Sequence, residues 1–281
     1  MFGSLSKPLS RRVLPGLPLT LGFTLLFVSV IVCLPLVALI LKAASLGPAE
    51  YWRIVTGPRA LASYRVTLTA AAFATLFNAV FGLVLAFVLT RYRFPGRRVL
   101  DAMVDLPFAL PTAVAGIALT TLFAANGPFG SALSALGITV VYTPLGIAVA
   151  MAFTSLPFVV RTVQPVLEDL DPALEEAALS LGVSEPRIFA RVLLPLLAPA
   201  LLAGVSLSFA RSLGEFGAII FIAGNQPRST EITALLAFIR LEEYDYPAAA
   251  ALASVMLFAA FVMLVVVGAL QARALRYTGR S

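Results

Sequence analysis

The sequence has no histidine, a single cysteine and few charged residues among its 281 positions. Without histidine, the chain lacks the commonest protein ligand for transition metals and the usual general base at neutral pH. The lone Cys33 lies in an apolar run, so the chain can form no internal disulfide and no cysteine metal cluster. We interpret Cys33 as a small hydrophobic residue of the core.

Two further absences concern catalysis. The sequence contains no phosphate-binding loop of the GxxxxGK(S/T) pattern, and so no recognisable machinery for hydrolysing a nucleotide. An intramembrane hydrolase would need a nucleophile with its base, or paired aspartates, at membrane depth. The apolar runs hold no aspartate, which argues against that class of enzyme. We therefore expect no catalytic residue, no cofactor and no metal.

Long runs without charge mark the membrane spans. The chain is 60% hydrophobic and 12% charged, which is typical of a polytopic membrane protein. The runs cover residues 17–41, 66–90, 106–160, 246–270 and, interrupted only by Arg211 and Glu215, 192–223. Turn signals at Asn126-Gly127-Pro128 and Tyr142-Thr143-Pro144 divide the third run into two spans of roughly twenty residues, with a connector that can carry a short outer helix. The sequence thus predicts an all-α fold with six transmembrane helices.

Basic residues decide the predicted orientation. Six crossings put both termini on the same side of the membrane. If that side is the cytoplasm, thirteen basic residues of the loops and tails lie inside and six lie outside. The thirteen are Lys7, Arg11, Arg12, Arg91, Arg93, Arg97, Arg98, Arg161, Arg187, Arg191, Arg273, Arg276 and Arg280. The N-terminal segment does not resemble a cleaved signal, so it is kept as mature protein. The arginine-rich run at 91–98 is interpreted as a topology anchor, not a nucleic-acid patch.

Residues 172–195 interrupt the apolar pattern once, between two spans. Asp171 can cap a short helix, Pro172 fits its first position and Gly182 ends it. Glu175 and Glu176 lie in the first turn, where the helix dipole favours negative charge.

This short helix carries an apolar stripe at Leu174, Ala178 and Leu181. A helix of roughly ten residues is about 15 Å long and cannot span a bilayer, so we predict that it docks on another protein. Ser184 can cap a second helix that runs to Leu194, with Pro195 marking the re-entry into lipid.

A second unusual site is the segment ARSLGEFGA, residues 210–218. Arg211 lies about 24 Å along its helix from the entry into lipid, past the midplane, where an unpaired charge is costly. Glu215 stands one turn further on the same predicted helix and can neutralise it. One interpretation is a gate or anion-attracting element in a translocation path, formed by Arg211, Ser212, Gly214 and Glu215. The other is a buried structural pair, with Gly214 and Gly217 allowing close packing.

Three other features are open to two interpretations each. Asp101 and Asp105, with Arg97 and Arg98 beside them, favour a boundary ion-pair cluster over a catalytic dyad. Residues 224–247 predict a capped outer helix that begins near Thr230, either a solvated surface or a docking surface. Hydroxyl and amide groups within the spans either line a weakly binding path or bond their own backbone carbonyls. These groups are Ser206, Ser208, Ser212, Thr112, Thr120, Thr121 and Asn78.

Several segments together resemble the T-type permease subunit of bacterial sulfate/thiosulfate ABC importers. The loop Glu176-Ala177-Ala178, with Gly182 and then Leu194-Pro195, is similar to the EAA loop of ABC importer permeases in general. More specific segments are FPGRRVLDAMVDLPFALPTAVAGIAL from Phe94, GIAVAMAFTSLPFVVRTVQPVLE from Gly146, RSLGEFGAIIFIAGN from Arg211 and FIRLEEYDYPAAAALAS from Phe238.

The resemblance implies the permease fold of a type I importer with a cytoplasmic coupling helix. Glu175, Glu176, Ala177, Ala178 and Gly182 would form that helix and fit a cleft on an ATPase. The implied partners are a homologous W-type permease subunit, two cytoplasmic ATP-binding subunits and a periplasmic binding protein that delivers sulfate or thiosulfate. The implied location is the inner membrane.

The implied division has residues 1–63 as tail, first span and outer loop, residues 64–272 as the importer transmembrane domain and residues 273–281 as a cytoplasmic tail. Because the LGEFGA segment is shared with molybdate permeases, a molybdate or tungstate importer stays the near alternative. Hydropathy alone is also compatible with a passive anion channel.

Overall fold

A computed structural model of the protein describes residues 17–277, with side chains for residues 19–269 and 271. The predictions for both tails, including Lys7, Arg11, Arg12 and Arg280, lie outside this range, as do the side chains of Arg273 and Arg276. All regular secondary structure in the described range is helical. The helices are α1 Leu17–Val28, α2 Leu34–Ala44, α3 Pro48–Val55, α4 Pro58–Arg91, α5 Arg97–Val104, α6 Leu106–Ala109, α7 Thr112–Phe123, α8 Gly130–Ala135, α9 Pro144–Asp169, α10 Ala173–Ser180, α11 Glu185–Ile188, α12 Leu194–Leu213, α13 Ile219–Ile222, α14 Thr233–Glu242 and α15 Tyr246–Tyr277.

Within the described chain, five helical stretches are long and apolar enough to cross a membrane. Two of them are compound, because π-helical turns at Ser29–Cys33 and Phe189–Leu193 join α1 to α2 and α11 to α12 without a break. The five stretches are Leu19–Ala44, Pro58–Arg91, Pro144–Asp169, Glu185–Leu213 and Tyr246–Ala269. The all-helical prediction is confirmed, and the count of six continuous spans is not matched exactly.

The third predicted span, which begins at residue 106, is divided into two short helices. α6 and α7 replace one helix, and α7 has only 12 residues, or about 18 Å. The break before α7 lies at Leu110, whose extended backbone (φ −85°, ψ 136°) precedes Pro111. Because a proline ring disfavours helical backbone in the residue before it, Pro111 prevents one continuous helix here.

The predicted second surface helix, from Ser184 to Leu194, is not separate. Ser184 does precede a helix, but that helix continues through the π-turn into α12 and runs to Leu213. Pro195 follows the π-turn directly, and such a local change of helix geometry accommodates a proline inside a continuing membrane helix. The helix is therefore continuous through Pro195, and the entry into lipid near this residue stays a prediction.

The core is a three-helix packing of α4, α9 and α12. Two glycines permit their close approach at the same point of α9. A Cβ on Gly82 of α4 would lie 2.9 Å from the Val159 Cβ, and a Cβ on Gly204 of α12 would lie 2.9 Å from the Val159 Cα. Lipid tails are as apolar as the protein core, so no hydrophobic driving force holds membrane helices together. Small residues at the interface allow close approach and van der Waals contact, which stabilise the packing instead.

Cys33 is not a core residue. It lies in the π-turn between α1 and α2 and is exposed. This compound helix contacts the rest of the chain mainly through α2 against α15, so most of its side chains face outward. An apolar side chain loses nothing by facing lipid, and hydrophobicity alone therefore cannot separate core from lipid-facing positions in a membrane helix.

Candidate functional site

α10 forms the short surface helix that the sequence predicts. The Asp171 side chain accepts a hydrogen bond from the Ala173 N–H at 2.9 Å, which supplies a partner for one of the free donors at the helix start. Gly182 ends the helix with φ 75°. The Gly182 N–H donates to the Leu179 carbonyl and the Val183 N–H donates to the Ala178 carbonyl, which is the Schellman pattern of a helix C-terminus.

The outward face of α10 packs against no other element of the described chain. Leu174 is 45% exposed and Leu181, just beyond the helix, is 82% exposed. Glu176 and Ala177 are also exposed, and Ala178 is half-buried. The predicted apolar stripe therefore exists on the surface without an intramolecular packing partner, as a docking element requires.

Glu175 behaves differently from the other residues of α10. Its Oε1 lies 2.7 Å from Nη2 of Arg91, the last residue of α4, and both side chains are largely buried. The two residues also line a cavity of about 600 Å³ between α10, the end of α4 and the start of α11. The sequence analysis predicts only a topological role for Arg91, and nothing local in the sequence indicates a pair 84 positions apart in the chain.

The Arg211–Glu215 pair forms, but not along one helix. α12 ends at Leu213, and residues 214–218 form an irregular break before α13. Glu215 Oε2 lies 2.7 Å from Arg211 Nη1, while Glu215 Oε1 accepts a hydrogen bond from the Ala218 N–H at 2.9 Å. Glu215 is 1% exposed and Arg211 is 31% exposed. The predicted continuous helix is wrong here, because Gly214 ends α12 and the Glu215 side chain bonds the backbone at the start of the next helix.

The break is held against the N-terminal end of α7. A Cβ on Gly217 would lie 2.1 Å from Thr112 Oγ1, and a Cβ on Gly116 would lie 2.4 Å from the Ala218 carbonyl oxygen. Two interrupted helices thus meet beside the arginine–glutamate pair. Irregular backbone in a membrane protein is tolerated where protein buries it or where it lines a water-filled cavity.

A buried polar cluster joins α4, α9 and α12 next to this break. Asn78 Nδ2 donates to Ser155 Oγ at 2.9 Å and to Ser208 Oγ at 3.3 Å, and Ser212 Oγ donates to Ser155 Oγ at 3.1 Å. All four side chains are inaccessible. They hold three helices together, and Ser155 was not singled out by the sequence.

The other predicted hydroxyls mostly bond their own helices. Thr120 and Thr121 donate to carbonyls four residues earlier, and Ser206 donates to the Leu202 carbonyl. This is the usual arrangement for hydroxyls in membrane helices, and it leaves these groups little capacity to bind a transported ion.

Asp101 and Asp105 form an ion-pair cluster, but with a different arginine. Arg161 of α9 donates to Asp105 Oδ1 and Oδ2 at 2.8 and 2.7 Å and to Asp101 Oδ1 at 2.7 Å. The predicted pairing with Arg97 and Arg98 is wrong. The guanidinium fork of Arg161 fits the two carboxylates because α5 and α9 lie side by side, which sequence proximity could not reveal.

At the other end of α4, a buried ion pair was missed. Arg59 Nε and Nη2 donate to Glu231 Oε2 and Oε1 at 2.8 and 2.6 Å, and Glu231 is inaccessible. The adjacent Thr233 N–H donates to Thr67 Oγ1. α14 therefore begins at Thr233, somewhat later than predicted, and its start is fixed to α4.

Comparison with known proteins extends these observations. A family model described as the binding-protein-dependent transport system inner membrane component matches residues 78–276. The sulfate transport system permease proteins CysT of Salmonella typhimurium and Escherichia coli are each 60% identical over 264 residues, which cover 94% of this chain and 95% of theirs. The CysT protein of Synechocystis is 44% identical over 277 residues, 98% of this chain and 97% of its own.

Solved structures share the fold. A chain of a bacterial alginate ABC transporter, crystallised with an alginate-bound periplasmic protein, superposes with a TM-score of 0.75 at 18% identity, over 92% of this chain and 94% of its own. A chain of the MetNI methionine ABC transporter superposes with a TM-score of 0.52 at 18% identity, over 75% of this chain and 94% of its own. At these identities the likeness concerns architecture alone.

Proposed function

This chain belongs to the family of binding-protein-dependent transport system inner membrane components, and from that membership we propose that it is the permease subunit of an ATP-driven importer of sulfate and thiosulfate. The observation that carries the proposal is 60% identity to sulfate permeases across 94% of the chain. The same identity favours sulfate over molybdate or tungstate. The chain is a transporter subunit and not an enzyme, and ATP hydrolysis belongs to a partner.

We assign the coupling role to α10 and its cap. Glu175, Glu176, Ala177, Ala178 and Gly182 lie on an exposed helix with an unpartnered apolar stripe, which suits insertion into a cleft of an ATP-binding subunit. ATP-driven closure of two such subunits would move the attached helices as rigid bodies. The ion pair between Glu175 and Arg91 ties α10 to α4, so it supports transmission into the three-helix core.

We assign the path or gate to the break after α12. Arg211 is partly exposed and its guanidinium has forked donors that match a tetrahedral oxyanion. Buried Glu215 orients that guanidinium and fixes the break, and Gly214 allows the chain to leave the helix. Ser212 is inaccessible in this arrangement, so its contribution is to hold α12 against α9.

Family membership supports a proposal for the full assembly. We propose two permease subunits, this chain and a homologous W-type partner, with two cytoplasmic ATP-binding subunits and a periplasmic binding protein for sulfate or thiosulfate. The protein would lie in the inner membrane with both termini in the cytoplasm. Residues 64–272 would form the importer domain, preceded by residues 1–63 and followed by the tail 273–281.

The test is uptake of radiolabelled sulfate by cells that lack their own sulfate permeases. The chain, expressed with a W-type permease, an ATP-binding subunit and a binding protein of a sulfate importer, should restore uptake, and excess thiosulfate should compete where excess molybdate does not. Cells carrying all subunits except this one provide the control. Restored uptake that molybdate abolishes would assign the permease to the molybdate class.

A further inference from the structure

Three arginines surround one cavity where α4 turns into α5. The cavity has a volume of about 590 Å³ and is lined by Arg93, Phe94, Gly96, Arg97, Arg98, Val99 and Asp101. It lies directly after the C-terminal end of a 34-residue helix that is long enough to cross a bilayer, and therefore at a membrane boundary.

The three guanidinium groups are uncompensated. Among the described side chains, those of Arg93, Arg97 and Arg98 have no hydrogen-bond or ion-pair partner, and Asp101 beside them is engaged by Arg161. The neighbouring Arg91 is also engaged, with Glu175. The lining of the cavity is therefore strongly positive, and its one acidic residue already has a partner.

The position of two of these arginines is unfavourable for the helix itself. Arg97 and Arg98 form the first turn of α5, which contains no acidic residue in that turn. Positive charge at a helix N-terminus opposes the helix dipole, whereas an anion there is stabilised. A bound anion would relieve both the dipole conflict and the mutual repulsion of the arginines.

Apolar side chains beside the cavity indicate what kind of anion fits. Val99 lines the cavity, Val99 and Met103 stand four residues apart on one face of α5, and both are exposed, as is Tyr92 at the end of α4. A free inorganic anion would use only the arginines. A phospholipid would use both parts, with its phosphate among the guanidinium groups and its acyl chains along the apolar face.

We propose that this cavity binds the phosphate headgroup of an anionic phospholipid from the adjacent leaflet. The site is separate from the coupling helix and from the break after α12, and the proposal does not depend on which ion the protein transports. Arg97 and Arg98 provide the main contacts and Arg93 closes the site from the preceding turn.

The experiment compares lipid binding by the full-length protein, purified with its partner subunits in detergent, by native mass spectrometry during titration with phosphatidylglycerol. Each basic residue near an anionic lipid surface strengthens binding by a similar factor of about five to six. Replacing both arginines (Arg97→Gln with Arg98→Gln) should therefore weaken the binding of phosphatidylglycerol by roughly thirtyfold. The Arg97→Lys with Arg98→Lys variant should keep most of the affinity and shows that the site survives substitution.

The matched control is Arg187→Gln with Arg191→Gln, which removes the same charge from exposed positions outside this cavity. It should bind phosphatidylglycerol like the unmodified protein. Equal losses in both double variants, or no loss in the Arg97/Arg98 variant, would overturn the proposal. Complete displacement by millimolar inorganic phosphate would assign the site to a free anion and would overturn the lipid assignment.

Discussion

Glu215 shows how much one buried side chain decides in this protein. One of its carboxylate oxygens pairs with Arg211 and the other accepts the Ala218 N–H, so the same residue neutralises a charge and shapes the backbone after α12. Arg211 lies in the last turn of α12 and is only partly exposed, and a charge removed from water needs a partner whether or not it meets the substrate.

Two variants separate the role of Arg211 in transport from the effect of leaving Glu215 without its partner. In Arg211→Leu, we expect sulfate uptake to fall at least tenfold at normal protein level, since the anion loses its forked donor. That variant also leaves Glu215 as an unpaired buried carboxylate. The double variant Arg211→Leu with Glu215→Gln removes this second defect, because the neutral amide oxygen can still accept the Ala218 N–H. Transport that recovers in the double variant would contradict a path role and identify a purely structural pair.

A second prediction at this scale concerns Gly116. A Cβ there would lie 2.4 Å from the backbone oxygen of Ala218 and cannot be accommodated by a side-chain movement. We expect Gly116→Ala to destabilise the protein by about 1–3 kcal/mol, measured as a lower temperature for loss of the monodisperse protein in detergent. Gly22→Ala, where the added carbon has open space, is the control and should leave that temperature unchanged.

At the scale of the element, α10 depends on its ends more than on its length. Eight helical residues would not be stable alone, and this helix is fixed by Asp171 at its start, by the turn at Gly182 and by the ion pair to Arg91. A rigid link to α4 and a defined exit toward α11 allow force applied to α10 to move the long helices.

Gly182 supplies the prediction for this element. Its φ of 75° is costly for a β-branched residue, by roughly 1–2 kcal/mol, although a Cβ would touch nothing in this chain. We expect Gly182→Val to leave membrane insertion and protein level intact and to reduce uptake at least tenfold. Gly182→Asn, which tolerates this backbone conformation, should retain much of the uptake. Normal uptake by the valine variant would contradict the coupling role.

The sequence patterns predicted the interrupted helices least accurately. The apolar run through residues 106–125 was predicted as one helix and the run through 192–223 as another, and each is interrupted. A continuous helix and an interrupted one can have the same hydropathy. The interruptions are stabilised by contacts between distant parts of the chain: Thr112 and Gly116 at the start of α7 pack against the break near Ala218.

At the scale of the whole molecule, α8 and α10 lie at opposite ends of α9, a helix of 26 residues or about 39 Å. We expect α10 to face the cytoplasm and α8 the periplasm. Ala178→Cys and Ser131→Cys, each made in a Cys33→Ser background, should react with a membrane-impermeant maleimide from opposite sides in intact cells and inverted vesicles.

The same two variants also test the assembly. Ala178→Cys should form a cross-link to an ATP-hydrolysing subunit in native membranes, whereas Ser131→Cys should not. Labelling of Ala178→Cys from the outside of intact cells would reverse the proposed orientation and remove the coupling role of α10.

The sequence by itself determined the membrane class, the all-helical fold, the surface helix at α10, the family and the existence of the Arg211–Glu215 pair. These depend on composition, short-range caps and neighbouring residues, all of which act within a few positions of the chain. Only the tertiary structure decided which arginine meets Asp101 and Asp105, which residue anchors Glu175, where α12 stops and which face of the first span is buried. Each of those outcomes is set by contacts between residues distant in sequence, and because lipid and protein core are equally apolar, hydropathy carries no information about which of the two a side chain meets.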